Sequence, residues 1–218
     1  GIWLLLRDRF WITDPFINRI MANKIFQWSL AKELGFITPQ SILTNVPCRC
    51  IDFVRKFHRT VIKQISPGLY RPGSAVYTTI IDAASIQKWS EEIKICPVMI
   101  QEYIDKLVDV RVTVIERDVF ACAIESQRSE ITKVDYRRGY PSVVVSHRVH
   151  DLPVNIKTKL LNFMSYGNMR FATFDLGLTA NGDYVFFECN PNGQWLWIEM
   201  LTGLPITERL VRLIEDHI

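Results

Sequence analysis

The sequence has no long hydrophobic run. Its longest apolar opening stretch has five residues, Ile2 to Leu6, and Arg7, Asp8 and Arg9 end it. A membrane-spanning helix needs about 20 apolar residues, and the hydrophobic core of a secretory signal is also longer. The sequence therefore predicts a cytoplasmic protein that has no membrane partner.

Cysteine and histidine are scarce. The five cysteines are scattered and contain no Cys-x-x-Cys pair, which favours reduced thiols and argues against a zinc site. Among the four histidines, His147 and His150 lie three residues apart on a predicted strand and would face opposite sides. With 48% hydrophobic and 22% charged residues, disorder and collagen-like repeats are excluded. The 218 residues suffice for one large domain or two small subdomains.

The net charge of +3 is unevenly spread. Residues 1–63 carry ten Lys or Arg against four Asp or Glu, and the remaining residues carry 16 against 19. A basic N-terminal third fits an acidic partner such as nucleic acid or a nucleotide phosphate, and it equally fits a solvated surface. The chain starts with Gly1 and the apolar stretch Ile2 to Leu6, so we expect an upstream part to be missing or removed. The apolar stretch is also compatible with a homodimer.

The spacing of apolar residues predicts an α+β protein. Helical spacing after Asp14 predicts one helix of about 20 residues that ends at Gly35. Residues 61–65 predict a buried strand, and alternation from Asp109 onward predicts an antiparallel hairpin. Two α+β halves result, which are joined near residues 103–106.

The final predicted hairpin carries the strongest chemical signal. Asp175 lies on one strand, and Glu188 and Asn190 lie two residues apart on the next, so the latter two share a face. Two carboxylates and an amide oxygen are the hard donors that nucleotide-bound magnesium needs. The alternative is a surface hairpin with solvated acids.

Lys63 is embedded in the apolar strand at 61–65, where an unpaired charge would be costly. This position predicts that Lys63 contacts an anion such as a nucleotide phosphate. The alternative is that Lys63 lies on the exposed face of an edge strand. Downstream, Gly68 and Gly73 lie in a predicted loop that could cover phosphates through backbone N–H groups.

Residues 101–104 cross between the two halves and could offer backbone groups to an adenine edge, while Asp109 could reach a ribose hydroxyl. Arg111 and Arg137 supply planar guanidinium groups suited to phosphates or a developing oxyanion, and surface salt bridges are the alternative. The neighbouring pair Trp195 and Trp197 is predicted to lie in the core, with an apolar wall for a peptide as the alternative.

Taken in order, these segments resemble the ATP-grasp superfamily. Within it they are similar to the RimK-like peptide maturases that make microviridin-type peptides, also called graspetide synthetases. Residues 175–206, which include the tract 190–199 and then 202–205, are highly specific to that subgroup, and the resemblance covers nearly the whole chain. The segments that carry it are Asn23-Lys24, Lys63, Gln101-Glu102-Tyr103-Ile104, Asp109-Val110-Arg111, Asp135-Tyr136-Arg137, Asp175 and residues 188–195.

The resemblance implies an ATP-grasp fold with the nucleotide between two α+β subdomains. Residues 1–36 would form an N-terminal segment and helix, 37–103 the small subdomain, and 104–218 the large subdomain with the metal site. The family's N-terminal pre-grasp domain would be absent. Glu116 and Ala172 depart from the family pattern, which more often has Gly at these positions.

The resemblance also implies an ATP-dependent carboxylate–amine or carboxylate–hydroxyl ligase whose partner is a precursor peptide. A side-chain carboxylate of the peptide would become an acyl phosphate, which a Lys amine or a Ser or Thr hydroxyl attacks to close a lactam or lactone ring. The implied roles are phosphate contact by Lys24 and Lys63, adenine contact by Gln101, Glu102, Tyr103 and Ile104, ribose contact by Asp109, binding of two Mg²⁺ by Asp175, Glu188 and Asn190, and catalysis by Arg111 and Arg137.

Three alternatives stay open at this stage. The first is a RimK-like ligase that adds an amino acid to a protein or a small acid. The second is a non-catalytic remnant that binds a peptide or a nucleotide. A nucleic-acid module is suggested only by the basic N-terminal third and ranks last, so we expect no nucleic-acid partner.

Overall fold

The computed structural model describes residues 1–65, 77–139, 142–143 and 145–217. Contacts divide the chain into two compact units. Unit 1 comprises Gly1–Thr38, Val108–Ile124 and Ser146–Ile218, and unit 2 comprises Pro39–Leu107 and Glu125–Val145. The predicted loop with Gly68 and Gly73 lies outside the described residues.

The described residues form helices and strands that are mixed along the chain. The helices are α1 (Ile2–Leu5), α2 (Pro15–Met21), α3 (Lys24–Glu33), α4 (Pro47–Val54), α5 (Ala83–Lys88), α6 (Ser90–Ile95), α7 (Val154–Tyr166), α8 (Leu196–Thr202) and α9 (Ile206–Glu215). The strands are β1 (Ser41–Thr44), β2 (Thr60–Lys63), β3 (Thr79–Ile81), β4 (Val98–Glu102), β5 (Val108–Ile115), β6 (Asp118–Ile124), β7 (His147–Val149), β8 (Phe171–Leu178) and β9 (Tyr184–Asn190).

Unit 1 is built on an antiparallel sheet in the order β7-β6-β5-β8-β9. All eight residues of β5 are buried, because both faces of this central strand are covered. Val110, Val112 and Val114 face the hydrophobic core, where they join Phe174 of β8 and Phe163 of α7. Since side chains alternate along a strand, the polar residues of β5 lie on the opposite face of the sheet.

The single helix predicted from Asp14 to Gly35 is wrong. Helix α2 ends at Met21 and α3 begins at Lys24, because the side chain of Asn23 accepts hydrogen bonds from the N–H groups of Ile25 and Phe26, both at 3.1 Å. An asparagine in this role starts a new helix. The break makes Lys24 the first residue of α3.

Unit 2 contains an antiparallel sheet in the order β1-β4-β2-β3. Its core includes Cys50, Ile86, Ile93 and Ile100. Residues 125–145 also fall in this unit, whereas the predicted boundaries assign them to the large subdomain.

Hydrogen bonds account for the position of residues 125–139. The carboxylate of Asp135 accepts from the N–H of Thr78 at 3.1 Å, and Arg138 donates to the carbonyl of Thr78 at 2.9 Å and to the hydroxyl of Thr79 at 2.6 Å. These bonds connect the segment to the residues just before and within β3.

The hairpin predicted from Asp109 is confirmed as β5 and β6. Its turn places Glu116 in the left-handed region at φ 52°, a conformation that glycine adopts more readily than other residues. Glu116 is held by Arg209 at 2.6 Å and Arg170 at 3.1 Å, so ion pairs oppose the strain. In the described part of the chain, no helix has the length and apolar character that crossing a membrane requires.

Candidate functional site

Three polar side chains form a row across the sheet of unit 1. Arg111 on β5 lies directly opposite Asp175 on β8, and Asp175 lies directly opposite Glu188 on β9. Residues that are directly opposite in neighbouring strands share a face of the sheet. Asn190, two residues beyond Glu188, lies on the same face, as the sequence predicts.

A β-bulge in β9 brings Glu188 to this face. The register shifts so that Glu188 pairs with Asp175 while Phe186 pairs with Leu176, which leaves Phe187 as the extra residue. Phe186 is fully buried in the core, although it is only two residues from Glu188. Without the bulge, a period of two would put both side chains on the same face.

Two cations neutralise the two acids of this row. Arg111 Nη1 lies 2.7 Å from Asp175 Oδ2, and Lys24 Nζ lies 3.1 Å from Glu188 Oε2. The amide Nδ2 of Asn190 lies between the acids, 3.1 Å from Glu188 Oε1 and 3.3 Å from Asp175 Oδ2. We call these five residues the Asp175–Glu188 cluster.

The donor set of the Asp175–Glu188 cluster suits magnesium. Among the residues that the structure describes, no three His, Cys, Asp or Glu side chains group together as metal ligands. The candidate set instead has two carboxylates and one amide, all of which offer hard oxygen atoms. The amide of Asn190 presents its nitrogen to the acids, so it must rotate by about 180° for its oxygen to face a metal ion.

The backbone at Gly193 packs directly over this row. A Cβ at position 193 would lie 1.7 Å from Thr173 Oγ1 and 2.9 Å from Arg111 Nη2. Arg111 Nη2 also donates to the carbonyl of Gln194 at 3.2 Å. The segment after β9 therefore covers the guanidinium of Arg111, and only glycine fits at its point of closest approach. Asp109, two residues before Arg111 on β5, is buried on the same face.

Gln27 is a residue that the sequence analysis missed. Its side chain is buried and donates to the carbonyl of Cys189 at 2.6 Å and of Met21 at 2.7 Å, and it accepts from the N–H of Cys189 at 2.9 Å. Gln27 thus ties α3 to β9 between Glu188 and Asn190. One sequence signal pointed to it. Gln27 lies three and four residues before the apolar Leu30 and Ala31, a spacing that puts all three on the same face of a helix.

In unit 2, the segment predicted to contact adenine spans the end of β4. The N–H of Glu102 donates to the carbonyl of Gln40 at 2.9 Å, and the N–H of Tyr103 donates to the carbonyl of Arg59 at 3.0 Å. Because these two N–H groups already have acceptors, the N–H of Ile104, which follows the strand, is the candidate donor of this segment to a bound base. The side chain of Gln101 is buried and donates to Ser41 Oγ at 3.0 Å, which gives it a structural contact.

Two more predicted residues lie in unit 2. Lys63 is the last residue of β2, half-buried and opposite Met99 of β4. Arg137 binds Asp135 through two parallel hydrogen bonds, Nε to Oδ1 at 2.8 Å and Nη2 to Oδ2 at 2.6 Å. Burial raises the pKa of Asp135, but the hydrogen bonds from Arg137 and Thr78 outweigh it and leave this pKa below its usual value.

The two tryptophans beyond β9 are both half-buried, in contrast to the predicted core position. Trp195 lines an open groove of about 470 Å³ in unit 1, together with Phe10, Trp11 and Phe171. Trp197 instead contacts His147 edge-on, with ring centroids 5.5 Å apart.

Comparisons with known proteins define the fold. The chain is similar to a RiPP-associated ATP-grasp ligase of Chryseobacterium gregarium, with a TM-score of 0.90 and 26% identity over 99% of this chain and 66% of that one. It is also similar to the macrocyclase MdnB of Microcystis aeruginosa, with a TM-score of 0.78 and 27% identity over 96% of this chain and 64% of that one. A D-alanine–D-alanine ligase of Bacillus anthracis shares the fold, with a TM-score of 0.58 and 18% identity over 79% of this chain and 57% of that one.

The chain therefore has the fold of the ATP-grasp superfamily, which confirms the predicted α+β class. Its structural neighbours include the RiPP-associated ATP-grasp ligase and the macrocyclase MdnB, which confirms the resemblance to graspetide synthetases. The chain spans slightly less than two thirds of the length of the ligases that it matches. No family model and no curated protein matches the sequence.

Proposed function

We propose that this chain carries the ATP-dependent ligase site of a graspetide synthetase and acts on a ribosomally made precursor peptide. The observation that supports this most directly is the row Arg111, Asp175 and Glu188 with Asn190. It lies on one face of a sheet whose fold is shared with the Chryseobacterium ligase, which is described in complex with ADP and a leader and core peptide.

The proposed reaction has two steps. A side-chain carboxylate oxygen of the peptide attacks the terminal phosphorus of ATP, which forms an acyl phosphate and releases ADP. A Lys amine or a Ser or Thr hydroxyl of the same peptide then attacks the acyl carbon and loses its proton. Inorganic phosphate leaves, and the peptide is closed by an amide or an ester bond.

Electrostatics and positioning would carry this catalysis, as in other phosphoryl transfers. In unit 1, Asp175, Glu188 and Asn190 would hold two Mg²⁺ ions, whose charge offsets that of the phosphates. Arg111 and Arg137 would bind the transferred phosphoryl group. Lys24 and Lys63 would contact phosphates. Asp109 would contact the ribose. In unit 2, residues 101–104 would contact the adenine, with the Ile104 N–H as the donor.

A thermal melt tests the nucleotide site. The wild-type chain and Glu188→Gln are each melted with and without Mg²⁺ and a non-hydrolysable ATP analogue. Ligand at about 100 times its Kd adds roughly 2.7 kcal/mol, which raises Tm by about 5–10 °C for a chain of this size. We expect this Mg²⁺-dependent rise in the wild type and its loss in Glu188→Gln.

Glu208→Gln is the matched control, because Glu208 is exposed on α9 and pairs with Arg212. This variant should keep the full rise. A wild-type chain that gains no thermal stability from Mg²⁺ and the analogue, or a Glu188→Gln variant that keeps the gain, contradicts the proposed function.

A further inference from the structure

We infer that Lys24 blocks the metal site while no nucleotide is bound, so that the divalent cation binds only together with a nucleotide. This inference rests on the proposed function and concerns the regulation of the same site. Its basis is the ion pair between Lys24 Nζ and Glu188 Oε2 at 3.1 Å.

Groups of the protein already engage the acids of the Asp175–Glu188 cluster. Both carboxylate oxygens of Glu188 are engaged, Oε2 by Lys24 and Oε1 by Asn190. Asp175 Oδ2 receives Arg111 at 2.7 Å and Asn190 at 3.3 Å. Two positive side chains balance two negative ones, so the cluster has no net charge with which to attract a cation.

Burial makes this neutralisation effective. The side chains of Arg111 and Lys24 are only 8% and 18% exposed, and those of Asp175 and Glu188 are 21% and 25% exposed. Solvent and salt screen such charges much less than they screen surface charges. A cation that enters alone meets the ammonium of Lys24 at the oxygen atom that it needs as a ligand.

Lys24 is the cation that can move. Arg111 is held by Asp175, by the carbonyl of Gln194 and by the close approach of Gly193. Lys24 is the first residue of α3, and its ammonium is carried on a flexible four-carbon stem. Its one described charged partner at this site is Glu188.

A bound nucleotide changes this balance. Its phosphates offer Lys24 a new anionic partner, which releases Glu188 Oε2 to the metal ion, and Asn190 can then turn its amide oxygen inward. Binding of metal and nucleotide is therefore coupled, and the coupling must be equal in both directions.

Metal binding without turnover tests this inference. Mn²⁺ replaces Mg²⁺ as the probe, and free Mn²⁺ is measured by electron paramagnetic resonance, with and without ADP. For the wild type we expect Mn²⁺ to bind at least tenfold more tightly with ADP than without it. Lys24→Met and Lys24→Gln should each bind Mn²⁺ alone at least tenfold more tightly than the wild type and should have weaker coupling to ADP.

Lys32→Met is the control, since Lys32 is exposed on the same helix and its loss changes the net charge equally. It should behave as the wild type. Unchanged Mn²⁺ affinity in both folded Lys24 variants, or tight Mn²⁺ binding by the wild type without ADP, overturns the inference. If calorimetry detects no ADP binding by the wild type in the presence of Mn²⁺, the proposed function itself fails, and the inference fails with it.

Discussion

Gln27 and Cys189 are joined by two hydrogen bonds, since the side-chain amide of Gln27 donates to the carbonyl of Cys189 at 2.6 Å and accepts from its N–H at 2.9 Å. Cys189 points into the core, and its neighbours Glu188 and Asn190 point to the opposite face. A side chain of α3 therefore completes the hydrogen bonding of β9 at the residue between two candidate metal ligands. The carbonyl of Met21 accepts a third bond from the same amide.

The substitution Gln27→Leu should destabilise the chain strongly. It leaves three buried backbone groups without their partner, and each unsatisfied group costs about 1–3 kcal/mol. We expect a loss of at least about 3 kcal/mol in the free energy of unfolding, measured by urea denaturation, and weaker binding of Mn²⁺ and ADP. Gln87→Leu, at an exposed position of α5, should change stability by less than about 0.5 kcal/mol. A loss of similar size in the two variants would contradict this prediction.

The substitution Gly193→Ala should lower stability and disturb Arg111. The new Cβ would lie 1.7 Å from Thr173 Oγ1, and Thr173 is fully buried, so the segment must shift away from the sheet. Overpacking of this kind costs about 1–3 kcal/mol. Differential scanning calorimetry should record a lower Tm, and a thermal shift assay should record a smaller gain from ADP with Mg²⁺.

A double variant provides the control for Gly193. Thr173→Ala removes the hydroxyl that lies closest to the added Cβ, so Gly193→Ala should cost less in that background than in the wild type. Equal costs in both backgrounds would mean that the contact with Thr173 does not decide the effect.

The pair of Asp135 and Arg137 predicts a pH dependence of stability. Because the pKa of Asp135 is lower in the folded chain than its usual value, the charged carboxylate stabilises the fold above about pH 4, and this contribution is lost as the pH falls through the folded pKa. The substitution Asp135→Asn should cost about 1–3 kcal/mol at pH 7. In urea denaturation, the difference between the two proteins should shrink steadily below pH 4.

The exposed Asp52 of α4 supplies the comparison. Asp52→Asn should change stability by less than about 0.5 kcal/mol at pH 7. If the cost of Asp135→Asn is the same at pH 3 as at pH 7, the stabilising effect of the charged carboxylate is refuted.

Glu199 has a structural contact with Thr207. Its Oε2 accepts from the N–H of Thr207 at 2.7 Å and from the Thr207 hydroxyl at 2.6 Å, near the start of α9. Glu199→Ala removes this cap and should cost about 0.5–2 kcal/mol in the free energy of unfolding. The Tm gain from ADP with Mg²⁺ should be unchanged.

Glu215→Ala, at the other end of α9, should cost less than about 0.5 kcal/mol. A Glu199→Ala variant that loses the response to nucleotide without losing stability would instead assign Glu199 to the binding site.

Local patterns predicted the strands of unit 1 well. The alternation in β5 depends only on neighbouring residues, and this strand forms where the sequence indicates. Asp175 likewise lies on a strand, as predicted. The helix break was missed because apolar spacing continues on both sides of Asn23. An asparagine inside an apolar pattern is an ambiguous signal, since it can be a surface residue of one helix or the cap of the next.

The sequence predicted which residues form the candidate site, but it did not predict the contacts that they make. Asp175, Glu188 and Asn190 were recognisable from their spacing, and the register brings Asp175 and Glu188 together. The roles assigned to them and to Arg111 and Lys24 stay predictions until nucleotide and metal binding are measured. Gln27 was missed because two of its three hydrogen bonds are made with the backbone of Cys189, more than 100 residues away, and the sequence gives no sign of such a partner.

The sequence by itself determined the α+β class and the polar and apolar faces of the central strands, because these follow from residue type and local periodicity. The resemblance to ATP-grasp ligases rests on the motifs that the sequence contains. Only the tertiary structure decided which face Glu188 occupies. The bulge at Phe187 puts Phe186 in the core and Glu188 beside Asp175, and such a shift arises from pairing with β8 rather than from the local pattern. The ion pair of Lys24 with Glu188 was likewise settled by packing, because residues 164 positions apart meet only when α3 lies next to β9.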